Sequence, residues 1–164
     1  MQATFRTLSL VGPVTGMRPA IEVVPKLGPR PAMPALRIGG PPTYDRPIEH
    51  LAGQLDISDL KPTLRSRDAR YGMVLCFALE PVALERLAKE LVRVAHRDGA
   101  VWMVVWKRNF LAAGAPSWEE AQAALLATGW VDNKVLSLGE RVYATRYVRR
   151  RRPGKGAPSG GSRR

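Results

Sequence analysis

Three stretches of the 164-residue sequence carry side chains that could do chemistry together. Asp132-Asn133-Lys134 sets a carboxylate, an amide and an ammonium in succession. Alternate side chains share a face of a strand, so Asp132 and Lys134 are expected to point together and Asn133 away. That pair could bind a polar ligand or act as acid and base. It could equally be a local ion pair, with Asn133 bonding to backbone in a turn. Lys107-Arg108-Asn109 follows a long apolar run, and Gly39-Gly40-Pro41-Pro42-Thr43-Tyr44 follows a short one. Glycines let backbone approach a ligand closely, and a helix start behind such a loop favours anions. Gly-Gly-Pro-Pro departs from Gly-x-Gly-x-x-Gly, however, and its prolines remove two amides that would cradle a phosphate. No acidic residue is clearly placed after a second strand to hold a ribose, and by composition residues 39–44 read as a tight turn.

Other reactive groups point elsewhere. Cys76 is the one cysteine, which excludes an internal disulfide framework and a cysteine-rich zinc site. It lies within an apolar run and reads as a buried core thiol. His50 and His96 are the two histidines, too few for a histidine-based metal centre, and no metal site is expected. Trp102, Trp106, Trp118 and Trp130 read as core residues, with Trp106 beside Lys107 at the rim of any pocket. No run approaches the ~18 apolar residues of a membrane span.

The elements that must position these groups follow from periodicity. Six prolines within residues 1–34 leave no room for a long helix or central strand, only short extended pieces at 7–11 and 21–24. Ala35-Leu36-Arg37-Ile38 is a short strand. Asp45 is expected to cap a helix with Ile48, Leu51, Ala52 and Leu55 on one face and Pro47 in its first turn. Residues 56–70 are polar, with a short edge strand expected around Thr63-Leu64. Residues 72–79 and 100–106 are continuously apolar, the mark of strands covered on both faces. Between them Pro81 opens a helix expected to run to about Arg97, with Leu84, Leu87, Leu91 and Val94 in one stripe. Ser117 and Glu120 match a capping box for a helix that Gly129 ends. Residues 131–138 and 141–148 read as a hairpin turning at Gly139-Glu140. This alternation predicts an α/β fold: a small Rossmann-like three-layer sandwich, its sheet mostly parallel with a C-terminal antiparallel hairpin. The domain is expected at residues 35–148, behind a Pro-rich N-terminal extension at 1–34.

Charge divides the chain differently. The net charge is +12, yet residues 149–164 hold Arg149, Arg150, Arg151, Arg152, Lys155, Arg163 and Arg164 with no acidic residue. Such an Arg/Gly-rich tail cannot bury enough surface to fold, and it is attracted to phosphate backbones in a salt-dependent way. It is read as a disordered tail, a solubilising one with non-specific affinity for RNA or DNA ahead of one making specific contact, because charge alone carries no sequence readout.

Gly129-Trp130-Val131-Asp132-Asn133-Lys134-Val135, followed by Tyr143-Ala144-Thr145-Arg146-Tyr147-Val148, resembles the closing strands of an uncharacterised bacterial family, "domain of unknown function 3052". Residues 99–106 with Lys107 look like its Gly-x-x-Trp strand and the lysine behind it, although Trp106 stands where proline is expected. Residues 39–44 are similar to its short glycine/proline loop. The resemblance spans about residues 35–150. It implies a Rossmann-like fold similar to a trimmed S-adenosylmethionine methyltransferase, and no established activity.

In such a sheet, ligands bind beyond the carboxyl ends of the strands at the topological switch point. Gly39, Gly40, Tyr44 and Lys107 are expected to converge there, with the start of Asp132-Asn133-Lys134. The first functional reading is a non-catalytic, cytoplasmic domain whose tail contacts nucleic acid. The alternatives are a small transferase using S-adenosylmethionine or a nucleotide, and a protein-interaction module pairing through the hairpin edge. The cofactor stays open, with S-adenosylmethionine the one the resemblance suggests.

Overall fold

A computed structural model describes residues 14–151. The expected extended piece at 7–11 and the tail residues Arg152, Lys155, Arg163 and Arg164 lie outside that range. In chain order the elements are α1 (Ala20–Leu27), β1 (Ala35–Ile38), a 3-10 turn (Pro42–Tyr44), α2 (Asp45–Ala52), β2 (Leu55–Ser58), β3 (Tyr71–Phe77), α3 (Leu84–Val94) and β4 (Ala95–Trp106). A second 3-10 turn (Arg108–Phe110), α4 (Trp118–Leu126), β5 (Trp130–Ser137) and β6 (Val142–Arg149) complete the described chain. One six-stranded sheet has the order β2-β1-β3-β4-β6-β5. The first four strands in that order are parallel, and β6 runs antiparallel between β4 and β5. The α/β architecture, the mostly parallel sheet and the closing antiparallel hairpin are those expected.

The two faces of the sheet bury different helices, which makes three layers. In β4, Val101, Met103 and Val105 pack with Leu87 and Leu91 of α3 and Leu125 of α4. The alternating Trp102, Val104 and Trp106 pack with Val23 and Leu27 of α1 and Ile48 of α2. This period of two explains why the strand reads as continuously apolar. Each fully buried Leu or Val contributes roughly 1.5–3 kcal/mol.

Several boundaries differ from expectation. Residues 21–24 are not extended. They form α1, whose Val23, Val24 and Leu27 are buried, and Trp102 Nε1 donates to the Leu27 carbonyl at 2.8 Å. Pro25 within α1 removes the amide that would bond the carbonyl of Ile21, which is 76% exposed. The edge strand is Leu55–Ser58, not Thr63-Leu64, because Gly53 (φ +90) ends α2 and frees Leu55 for the sheet. The helix after Pro81 starts three residues later, at Leu84, and stops at Val94, where β4 begins. Pairing between β3 and β4 slips between Tyr71 and Met73. There the backbones approach so closely that a β-carbon on Gly99 would lie 2.7 Å from the carbonyl oxygens of Tyr71 and Gly72.

Candidate functional site

β1 lies between β2 and β3, so the sheet changes direction at its carboxyl end, and a crevice is expected there. The turn leaving β1 needs glycine: Gly39 has φ +63 and Gly40 φ +80, and a β-carbon on Gly40 would collide with the Phe77 ring. Arg37, on the α2 face of β1, is buried and organises this turn. Its Nη1 donates to the carbonyls of Gly39 (2.6 Å) and Gly40 (3.0 Å), and its Nη2 donates to Asp45 Oδ2 (3.0 Å). Its Nε donates to the other Asp45 oxygen. Asp45 is therefore the first residue of α2 rather than its cap, with its carboxylate spent on Arg37. Tyr44 packs edge-on against Phe77, centroids 5.6 Å apart. Its buried hydroxyl has no partner among the described residues, and burial pushes its pKa up to about 12.

The side of the turn facing β2 differs. The Gly39 amide donates to the Ser58 carbonyl at 2.9 Å, tying the ends of β1 and β2 together. The next residue, Asp59, is exposed, and its carboxylate has no ion pair among the described residues. An acidic residue about 20 positions after the first glycine, at the end of the second strand, is what a ribose diol requires. Sequence reasoning missed Asp59 because it placed the edge strand at Thr63-Leu64. The Gln54–Ser58 alternation just after Gly53 was the signal available. Beyond Asp59 the chain is strapped to α3. Arg93 donates to the carbonyls of Leu64 (3.0 Å) and Ser66 (2.9 Å) and pairs with Asp68 and Glu90. Glu90 accepts from the Leu64 amide, and the Arg93 bonds hold its carboxyl below the usual range.

Lys107 also stands at this end of the sheet, with its charge already committed. Its Nζ donates to Ser137 Oγ (3.0 Å) and the Gly139 carbonyl (2.8 Å), bracing the β5–β6 turn. Trp106 Nε1 donates to the Leu79 carbonyl at 2.9 Å, closing the ends of β3 and β4. Arg108 pairs with Glu119 on the surface.

Asp132, Asn133 and Lys134 do not join the site. β5 runs parallel to β4, so its start lies at the opposite end of the sheet. Asp132 pairs with Tyr147, which pairs with Val101, and Lys107 lies six positions further along, about 20 Å at the rise of a strand. Asp132 and Lys134 do not share a face either. A bulge at Asn133 pairs Asp132 with Tyr147 but Lys134 with Arg146, so the two point to opposite faces. Asp132 accepts from Gln122 of α4 (3.3 Å), and Asn133 Oδ1 accepts from Arg146 (3.3 Å).

The remaining groups keep structural roles. Burial pushes the Cys76 thiol up to about 12. His96 Nδ1 accepts from the Asp98 amide. Among the described residues no cluster of His, Cys, Asp and Glu could hold a metal ion.

Comparison with solved structures places this arrangement in a fold group. The chain is similar to an S-adenosylmethionine-dependent methyltransferase from Aquifex aeolicus (TM-score 0.57, 14% identity, 78% of this chain and 88% of that one). It is similar to one from Mesorhizobium loti (TM-score 0.58, 11% identity, 80% and 96%). It is also similar to geranyl diphosphate methyltransferase in complex with S-adenosylmethionine (TM-score 0.62, 10% identity, 80% and 84%). The fold is that of Rossmann-like methyltransferases. No family model and no curated protein matches the chain, so the resemblance to that uncharacterised family is not shown.

The chain's residues fit one half of such a cofactor. The Gly39-Gly40 turn and the free Asp59 carboxylate suit a ribose. The start of α2, where an anion would sit, is filled by Asp45 and Arg37, and Pro41 and Pro42 offer no amide. The start of α2 thus offers no free place for a phosphate.

Proposed function

We propose that this chain is a small methyltransferase-type domain that takes the adenosine moiety of S-adenosylmethionine at the carboxyl ends of β1 and β2. The observation that carries the reading is Asp59, an unpaired carboxylate beside the Gly39-Gly40 turn at the switch point. Asp59 would hold the ribose hydroxyls, the Gly39 and Gly40 backbone would border the sugar, and the closed start of α2 would reject phosphorylated nucleotides. When bound, the cofactor supplies an activated methyl group on its sulfonium. Calorimetry tests the reading directly. S-adenosylmethionine and its demethylated product should bind, ATP should not, and Asp59→Asn should weaken binding at least about tenfold with unchanged melting, the worth of one charge-assisted hydrogen bond. Failure of both adenosine ligands to bind would sink it.

Phe77 and Tyr44 favour a second reading. Their packing under the turn is what a scaffold without a small-molecule ligand would keep, the non-catalytic domain expected from sequence. In that case no nucleoside shifts the melting temperature, and Asp59→Asn is silent.

A further inference from the structure

On the α1 face, partway along β5 and β6, which lie four and three strands across the sheet from β1, three cations lie near one another. Lys134 and Arg146 are cross-strand partners, set on one face by the bulge at Asn133. Like charges placed directly opposite each other destabilise a strand pair. Arg30, just beyond α1, is close enough to repel Arg146, which is half-buried beside Trp102. Burial first, and Arg30 second, hold the Arg146 pKa below its usual value. The only hydrogen bond of the Arg146 guanidinium among the described residues is to Asn133 Oδ1. Arg30 bonds only the Met33 sulfur, and neither Arg30, Lys134 nor Arg146 has an acidic partner there. The arrangement raises the free energy of the isolated molecule, and an external anion would relieve it. Arg149 ends β6 three residues past Arg146, and Arg150 and Arg151 follow it.

We propose that Arg30, Lys134 and Arg146 form a phosphate-binding strip on the folded domain, along which a nucleic-acid backbone runs into the arginine tail. Several cations in a row suit a polyanion better than a single small anion. The strip adds a fixed, oriented docking surface to the charge that the tail sequence carries. It is independent of the cofactor reading, since β3 and β4 separate β5 and β6 from the β1 turn.

The test uses the full chain and a labelled single-stranded RNA of about 20 nucleotides, read by fluorescence anisotropy across a salt series. Two triple variants keep the tail and remove the same charge: Arg30→Gln/Lys134→Gln/Arg146→Gln in the strip, and Lys61→Gln/Arg65→Gln/Arg67→Gln on the exposed loop after β2. The strip variant should lower the slope of log affinity against log salt by about 2, near 0.7 for each phosphate no longer neutralised, and weaken binding at least about tenfold near 0.1 M salt. The loop variant should bind within about twofold of the parent. Equal weakening by both triples, or parental binding by the strip variant, would overturn the proposal. Arg30→Gln/Lys134→Gln alters exposed side chains only and should still lower the slope by more than 1 if the half-buried Arg146→Gln change disturbs folding.

Discussion

The two sides of the Gly39-Gly40 turn are built on opposite plans. Towards α2 and β3, nearly every polar group is engaged: Arg37 holds two carbonyls and a carboxylate, and aromatic rings fill the space beneath. Towards β2, a carboxylate stands exposed without an ion pair, between the Ser58 carbonyl held by Gly39 and the stretch strapped down by Arg93. Stability is concentrated on the first side, and recognition chemistry is left available on the second. A pair of sites so divided can be taken apart by substitution.

The largest effect should come from the packed side. Gly40→Ala must both hold left-handed backbone and displace Phe77, and should cost about 3 kcal/mol or more in urea unfolding. Gly53→Ala also holds left-handed backbone but meets open space, and should cost about 1 kcal/mol. If the two proved equal, the turn would not be wedged on Phe77. Arg37→Met comes next. It strands the Asp45 carboxylate and two carbonyls, for about 3 kcal/mol. A smaller loss, about 1 kcal/mol, is expected for Glu90→Gln, which loosens the strap behind Asp59.

The Glu90 effect should also depend on pH. Its folded-state pKa is depressed, so the contribution is complete above the usual glutamate value of about 4.3 and is lost as pH falls through the lower folded value. The gap in stability between parent and Glu90→Gln should be constant at neutral pH and close in acid. Smallest of all, Asp59→Asn should leave unfolding within about 0.5 kcal/mol of the parent. A large change there would place Asp59 in the structural half of the turn.

What could be read in the sequence follows the locality of its causes. Ala35–Ile38 and the Ser117/Glu120 capping box lie where expected, because an apolar run between breakers and a reciprocal cap are both short-range signals. β3 and residues 100–106 of β4 were legible because burial on both faces leaves no polar residue to blur them, whereas the polar His96-Arg97-Asp98 start of β4 read as the end of a helix. α1 was not, since its prolines argue against a helix and only Trp102 and the sheet make that helix worthwhile. Asp59 was hidden by a misplaced edge strand, and Arg37 by its position in an apolar run, where nothing local announces a partner eight residues away. The facing of Asp132 and Lys134 was misjudged because a bulge is decided by the partner strand.

That bulge has a consequence for how the molecule behaves among its own kind. β5 is the last strand of the sheet, eight residues long, with Val135 52% exposed. An outer strand of that length invites another chain to zip onto it. The extra residue at Asn133 breaks the spacing of its free backbone groups, and the lysine beside it adds a charge that like copies repel. A newcomer could match the register on one side of Asn133 or the other but not along the whole strand, so crowding should yield short-lived encounters rather than fibrils.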